Sequence, residues 1–145
     1  MGTMNQITPC LWFDGRVVEA AEYYAAVFPD TTIELLDEFM SVIVVCGQRF
    51  QLLNGGPQFP FTEAISFVLP CHGQDELDHF WDRLIADGGE ESQCGWLRDR
   101  FGLSWQIIPD NMGELICNQE AMNAMFTMKK LDIAALEAAR DGVAP

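Results

Sequence analysis

One order of elements runs through this chain twice, and that repetition constrains the fold more than any other feature. Residues 7–13 alternate as a strand does, with Thr8, Cys10 and Trp12 on one face and Pro9, Leu11 and Phe13 on the other. Pro9 cannot donate to a ladder, which places this strand at an edge or a bulge. Asp14-Gly15 interrupts it, and Val17, Ala20, Ala21, Tyr24, Val27 and Phe28 then recur at helical spacing until Pro29. Residues 32–37, 41–46 and 49–53 follow as three short runs rich in β-branched residues, the pattern of an antiparallel meander.

The second half has the same grammar. Residues 65–69 form a strand that Pro70 closes, and a helix from Gln74 carries Leu77, Phe80, Trp81, Leu84 and Ile85 inward before Gly88-Gly89. Residues 90–93, 95–99 and 103–108 supply three more strands. Phe13 and Tyr24 in one half, and Leu69 and Phe80 in the other, are 11 positions apart in both cases. The chain is therefore expected to be α+β, with module 1 over residues 5–54, a Gly/Pro-rich linker over 54–62 and module 2 over 63–109. C-terminal helices are expected over 118–130 and 132–140, within about 118–141, with Asn118 and Asp132 as N-caps and Gly142 after the last turn. Met122, Met125, Phe126 and Met128 make a soft apolar stripe suited to core or dimer packing.

The final hairpin, Q-C-G-W-L-R-D-R-F-G-L-S-W-Q-I-I-P, places Ser104, Gln106 and Ile108 on one face of its second strand and Trp105 and Ile107 on the other. The face with the amide is the expected seat of function. Trp81 and Trp105 fall on positions turned toward the helix and are expected in the core, whereas the alternation does not orient Trp96.

Charge narrows the partners. Net charge is −14, from 22 acidic and 8 basic residues, which disfavours nucleic acid. No apolar run approaches the ~20 residues that a bilayer demands, so no membrane partner and a cytoplasmic location are expected. The five cysteines, Cys10, Cys46, Cys71, Cys94 and Cys117, are widely spaced and fit reduced thiols better than a disulfide or zinc framework. His72, Asp75 and His79 could converge at the second helix start, but an acid at a helix start and two solvated imidazoles is the plainer assignment. Cys71, beside the same helix start, is expected to be a buried inert thiol.

The phrases L-W-F-D-G-R, L-N-G-G-P-Q-F, E-A-I-S-F-V-L-P-C, E-E-S-Q-C-G-W-L-R-D-R-F-G-L-S-W-Q-I-I-P and M-K-K-L-D-I-A-A-L-E extend over nearly the whole chain. They are similar to the PhnB-like branch of the vicinal oxygen chelate superfamily, which includes glyoxalase I, bleomycin-resistance proteins and extradiol dioxygenases. The resemblance implies a single domain over 1–145 with the glyoxalase/bleomycin-resistance fold of two βαβββ modules. It also implies a homodimer, with modules exchanged across the linker as one form, and a ligand cavity inside each cupped sheet. Metal-using members draw His or Glu ligands from the first and last strand of each module. Those positions, anchored on the turn Asp99-Arg100-Phe101-Gly102, correspond here to Thr8, Gln51, Ser66 and Gln106, none a usual divalent-metal ligand.

The resulting expectation is a small-molecule ligand, neutral or zwitterionic, in a cavity lined by Thr8, Cys10, Trp12, Gln51, Ser66 and Gln106, with no metal and no cofactor. No motif assigns a reaction. The alternatives are a metal-dependent lyase, isomerase or dioxygenase of the superfamily, and a non-catalytic dimeric scaffold. Some members of the branch carry the name 3-demethylubiquinone-9 3-methyltransferase. Methyl transfer from S-adenosylmethionine is disfavoured, because Gly55-Gly56 lies between modules rather than in a strand-to-helix loop on a doubly wound sheet.

Overall fold

The computed structural model describes residues 5–143 and divides into two compact units, one ending at Phe61 and the other beginning at Thr62. The first contains β1 (Cys10–Phe13), α1 (Val17–Val27), β2 (Thr31–Leu35), β3 (Met40–Val45) and β4 (Gln48–Asn54). Its sheet has the order β1-β4-β3-β2, with β1 parallel to β4 and the remaining pairs antiparallel. Val17, Ala20, Ala21, Tyr24, Val27 and Phe28 are all buried, as their helical spacing requires, and Leu11, Phe13, Ile43, Val45, Phe50 and Leu52 are buried on the strands. Burying each large apolar side chain contributes about 1.5–3 kcal/mol relative to exposure. The start of α1 is capped from a distance, because the Glu38 carboxylate accepts the Val17 N–H at 2.8 Å.

The second unit contains β5 (Ser66–Cys71), α2 (Gly73–Ile85), β6 (Glu90–Glu91), β7 (Trp96–Arg98) and β8 (Ser104–Pro109). Its sheet repeats the first topology as β5-β8-β7-β6, with β5 parallel to β8 and the others antiparallel. Leu77, Trp81 and Leu84 of α2 are buried, as are Leu97, Trp105 and Ile107 of the sheet. The buried indole of Trp81 is satisfied by the Glu91 carboxylate at 2.8 Å.

Several boundaries differ from the sequence expectation for physical reasons. Strand β1 begins at Cys10 rather than residue 7. Pro9 has no N–H, although its carbonyl still accepts from the Gln51 N–H at 2.9 Å. Thr8 therefore precedes the first strand instead of lying in it. Strand β5 runs through Pro70 to Cys71, because an edge strand tolerates a residue without a donor. β6 has only two residues, since the chain turns through Cys94 and Gly95, both at positive φ.

After β8 come α3 (Met112–Leu115), α4 (Gln119–Phe126) and α5 (Ile133–Asp141). The short α3 was not foreseen. Asn118 and Asp132 do cap α4 and α5, accepting from Ala121 N–H and Ala135 N–H at 3.0 Å each. Helix α4 stops at Phe126, short of Lys130. The carbonyls of Met128 and Lys129 turn away to accept from the N–H groups of Cys94 and Gly95, both at 2.8 Å. The methionine stripe does not enter the core: Met122, Met125 and Met128 are half-buried and Phe126 is 56% exposed.

Candidate ligand-binding faces

Each sheet hides one face and leaves the other partly open. In the first unit the open face carries Cys10, Trp12, Val42, Val44, Gln51 and Leu53. The register places Cys10, Gln51 and Val42 in one row and Trp12 opposite Leu53. Thr8 is half-buried ahead of β1. Trp12 has two partners, for its indole N–H donates to the Gly56 carbonyl at 2.8 Å and its ring meets Phe59 edge-on at 5.0 Å. Gly55 makes this possible, since a Cβ there would lie 2.2 Å from the indole. Cys10 is exposed, and partial desolvation pushes its thiol pKa up, away from thiolate character.

In the second unit the open face carries Ser66, Val68, Trp96, Arg98, Ser104, Gln106 and Ile108. Ser66, Ser104 and Arg98 form one row across β5, β8 and β7, and Val68, Gln106 and Trp96 form the next. Gln106 donates from Nε2 to Ser66 Oγ at 2.9 Å, so two of the sequence-expected residues are directly joined. Thr8, Cys10, Trp12 and Gln51 belong to the other unit.

Two polar residues of this second face, Arg98 and Ser104, were not among the site residues expected from the sequence. Arg98 pairs with Glu63 at 3.2 Å and with Glu90 at 2.5 Å. Ser104 is 1% exposed, and its Oγ has no hydrogen-bond partner among the described residues. Ser104 already shared a face with Gln106 by alternation, so that signal was available. Arg98 needed the orientation of Trp96, two residues earlier, which the left-handed residues Cys94 (φ 56°) and Gly95 (φ 87°) obscure by breaking the alternation.

The other candidate groups are separate. His72 pairs with Asp110 at 2.9 Å, and that hydrogen bond raises its imidazole pKa. His79 is exposed and lies edge-on to Phe80. Cys71 is buried, and desolvation first, then the charges of Glu76 and Asp110, raise its thiol to about 12, so it is no nucleophile near neutrality. All five cysteines are free.

The four positions expected to line the cavity carry none of the usual divalent-metal donors. Thr8, Gln51, Ser66 and Gln106 offer only hydroxyl and amide groups, and the nearby carboxylates of Glu63 and Glu90 hold Arg98. Among the described residues, no group of three or more His, Cys, Asp or Glu is placed to hold an ion, and no helix is long and apolar enough to cross a membrane.

None of the curated proteins matches the sequence. Among solved structures, the PhnB protein of Bacillus cereus, which carries a 3-demethylubiquinone-9 3-methyltransferase name, is 26% identical with a TM-score of 0.63, covering 72% of this chain and 99% of its own. Protein PA1353 of Pseudomonas aeruginosa is 21% identical with a TM-score of 0.59, over 70% of this chain and 95% of its own. The fosfomycin resistance protein FosX of Listeria monocytogenes, solved with Mn(II) and sulfate, shares the fold at 10% identity and a TM-score of 0.56, over 78% of this chain and 95% of its own. The family described as 3-demethylubiquinone-9 3-methyltransferase matches residues 5–108, well over half of the sequence, and to that family, in its PhnB-like form, the chain belongs.

Proposed function

We propose that the protein binds a small organic ligand, neutral or zwitterionic, on the open polar faces of its sheets without the help of a metal. The observation that carries this reading is the Gln106–Ser66 hydrogen bond, at two positions that the family resemblance aligns with the ligands of metal-using members. Hydroxyls and amides both donate and accept, so this chemistry suits carbonyl and hydroxyl groups rather than a bare cation. Thr8, Cys10, Trp12 and Gln51 offer a comparable face in the first unit. Methyl transfer is not favoured despite the family's description, because the sheets have the orders β1-β4-β3-β2 and β5-β8-β7-β6 rather than a doubly wound parallel arrangement, and Gly55-Gly56 lies between β4 and β5 rather than in a strand-to-helix loop.

The test is a thermal-shift screen of small organic molecules, with and without divalent metals, followed by Gln106→Leu. The variant should unfold near the wild-type temperature, since Ser66 is half-exposed and water can replace the lost amide. Its affinity for the ligand found should fall by about 1–3 kcal/mol, roughly 5- to 150-fold. Lost stability with unchanged affinity would instead make Gln106 a structural amide.

We further propose a homodimer, with exchange of modules across the linker as one form. Exposed apolar side chains support it, since Ile65 and Val68 are 68% and 51% exposed, and α4 with Phe126 at 56% is a candidate interface element. Light scattering at micromolar concentration should read twice 16.3 kDa, and a monomer mass contradicts the assembly.

A further inference from the structure

The row Ser66–Ser104–Arg98 holds a feature that the ligand-binding reading does not use. Glu63 lies just before β5, whereas Arg98 is on β7, and β8 runs between them. The Arg98–Glu63 ion pair therefore spans the start of β8, where Ser104 faces the same side in register with Arg98 and with Ser66. In that same row the Ser104 Oγ is buried and has no partner among the described residues. A buried hydroxyl left unsatisfied is costly, and a native one calls for an explanation.

The Arg98–Glu63 pair is weakly held. At 3.2 Å, with side chains 44% and 56% exposed, it belongs to the class of surface ion pairs that contribute little to stability. Glu90 holds the other terminal nitrogen of Arg98 and would keep the guanidinium in place if Glu63 let go. Trp96, Val68 and Ile108 supply apolar surface on the same face.

We propose that a zwitterionic ligand, an amino-acid-like head group on an apolar tail, inserts into the Arg98–Glu63 pair. Its carboxylate takes the place of Glu63 on Arg98 and accepts a hydrogen bond from the uncovered Ser104 hydroxyl. Its ammonium takes the place of Arg98 on Glu63. Every charge remains paired, and the ligand adds no net charge to a chain already at −14, which a simple anion would do. This rests on the ligand-binding reading above and names its ligand class and two further binding residues, Arg98 and Ser104.

The experiment titrates the full chain with L-leucine, with 4-methylpentanoate, which lacks the ammonium, and with isopentylamine, which lacks the carboxylate, following indole and guanidinium N–H resonances. L-Leucine should bind most tightly. Ser104→Ala should weaken L-leucine on the order of tenfold while leaving the unfolding temperature of the free protein unchanged or higher, because a buried unpaired hydroxyl has been removed. Glu63→Gln should act with opposite signs, weakening L-leucine and strengthening 4-methylpentanoate, which no longer competes with a carboxylate for Arg98. A fall in unfolding temperature for Ser104→Ala, or a Glu63→Gln effect of the same sign on both acids, overturns the insertion. No binding of L-leucine, with a screened ligand still lost in Gln106→Leu, overturns the insertion alone. L-Leucine that obeys the sign reversal but ignores Gln106→Leu supports the insertion and removes Gln106 from the binding reading.

Discussion

Gly95→Ala is expected to destabilise the second unit by about 2–4 kcal/mol, combining a left-handed non-glycine backbone with an overpacked contact. Gly95 has φ 87°, and a Cβ there would lie 3.0 Å from Leu131 Cδ1 and 3.1 Å from the Ile107 carbonyl oxygen. Neither neighbour can yield easily. Leu131 is fully buried, and the backbone around Gly95 is tied on both sides: its N–H donates to the Lys129 carbonyl, and its own carbonyl accepts from Ile107, both at 2.8 Å. Urea unfolding followed by tryptophan fluorescence should show a lower midpoint at unchanged slope. An unchanged midpoint would mean that the junction between β7 and the C-terminal segment is looser than described.

Asp99→Ala should be at least as severe, at about 3–5 kcal/mol, because one buried carboxylate serves three donors. Asp99 is 2% exposed. Its Oδ1 accepts the N–H groups of Phe101 and Leu103 at 2.9 and 3.1 Å, and its Oδ2 accepts the Trp105 indole N–H at 3.0 Å. The backbone closes the same turn, since Gly102 N–H donates to the Asp99 carbonyl at 2.9 Å. Alanine leaves a buried indole and two turn amides without an acceptor. Asp99→Asn keeps one oxygen for the turn but turns an amide NH2 toward a donor, so its loss should be smaller yet measurable. Thermal unfolding of the two variants ranks them, and an Asp99→Ala protein as stable as wild type would contradict this role.

The turn residues Asp99-Arg100-Phe101-Gly102 were visible in the sequence, but their structural weight was not. Hydrophobic period identified both long helices and the burial of Trp81 and Trp105, because those signals repeat along one element. Capping by Asn118 and Asp132 was legible for a similar reason, being a local bond three residues long. What failed depended on distant partners or on very short elements. Four residues cannot show a helical period, so α3 was missed, and the early end of α4 is set by Cys94 and Gly95, more than thirty positions away.

The candidate site divides in the same way. Alternation was enough to place Gln106 with Ser104 and Ile108 on one face. The Arg98–Glu63–Glu90 cluster requires knowing that β8 lies between β5 and β7, which no single stretch of sequence states. The donor types at Thr8, Gln51, Ser66 and Gln106 were readable at once, and they carry the argument about metals.

The central claim, a PhnB-like protein that binds its ligand without a metal, is tested most directly by elemental analysis of protein purified without chelators. Thr8, Gln51, Ser66 and Gln106 predict only substoichiometric transition metal that a brief dialysis removes. One tightly held manganese, iron, nickel or zinc ion per chain would contradict the account.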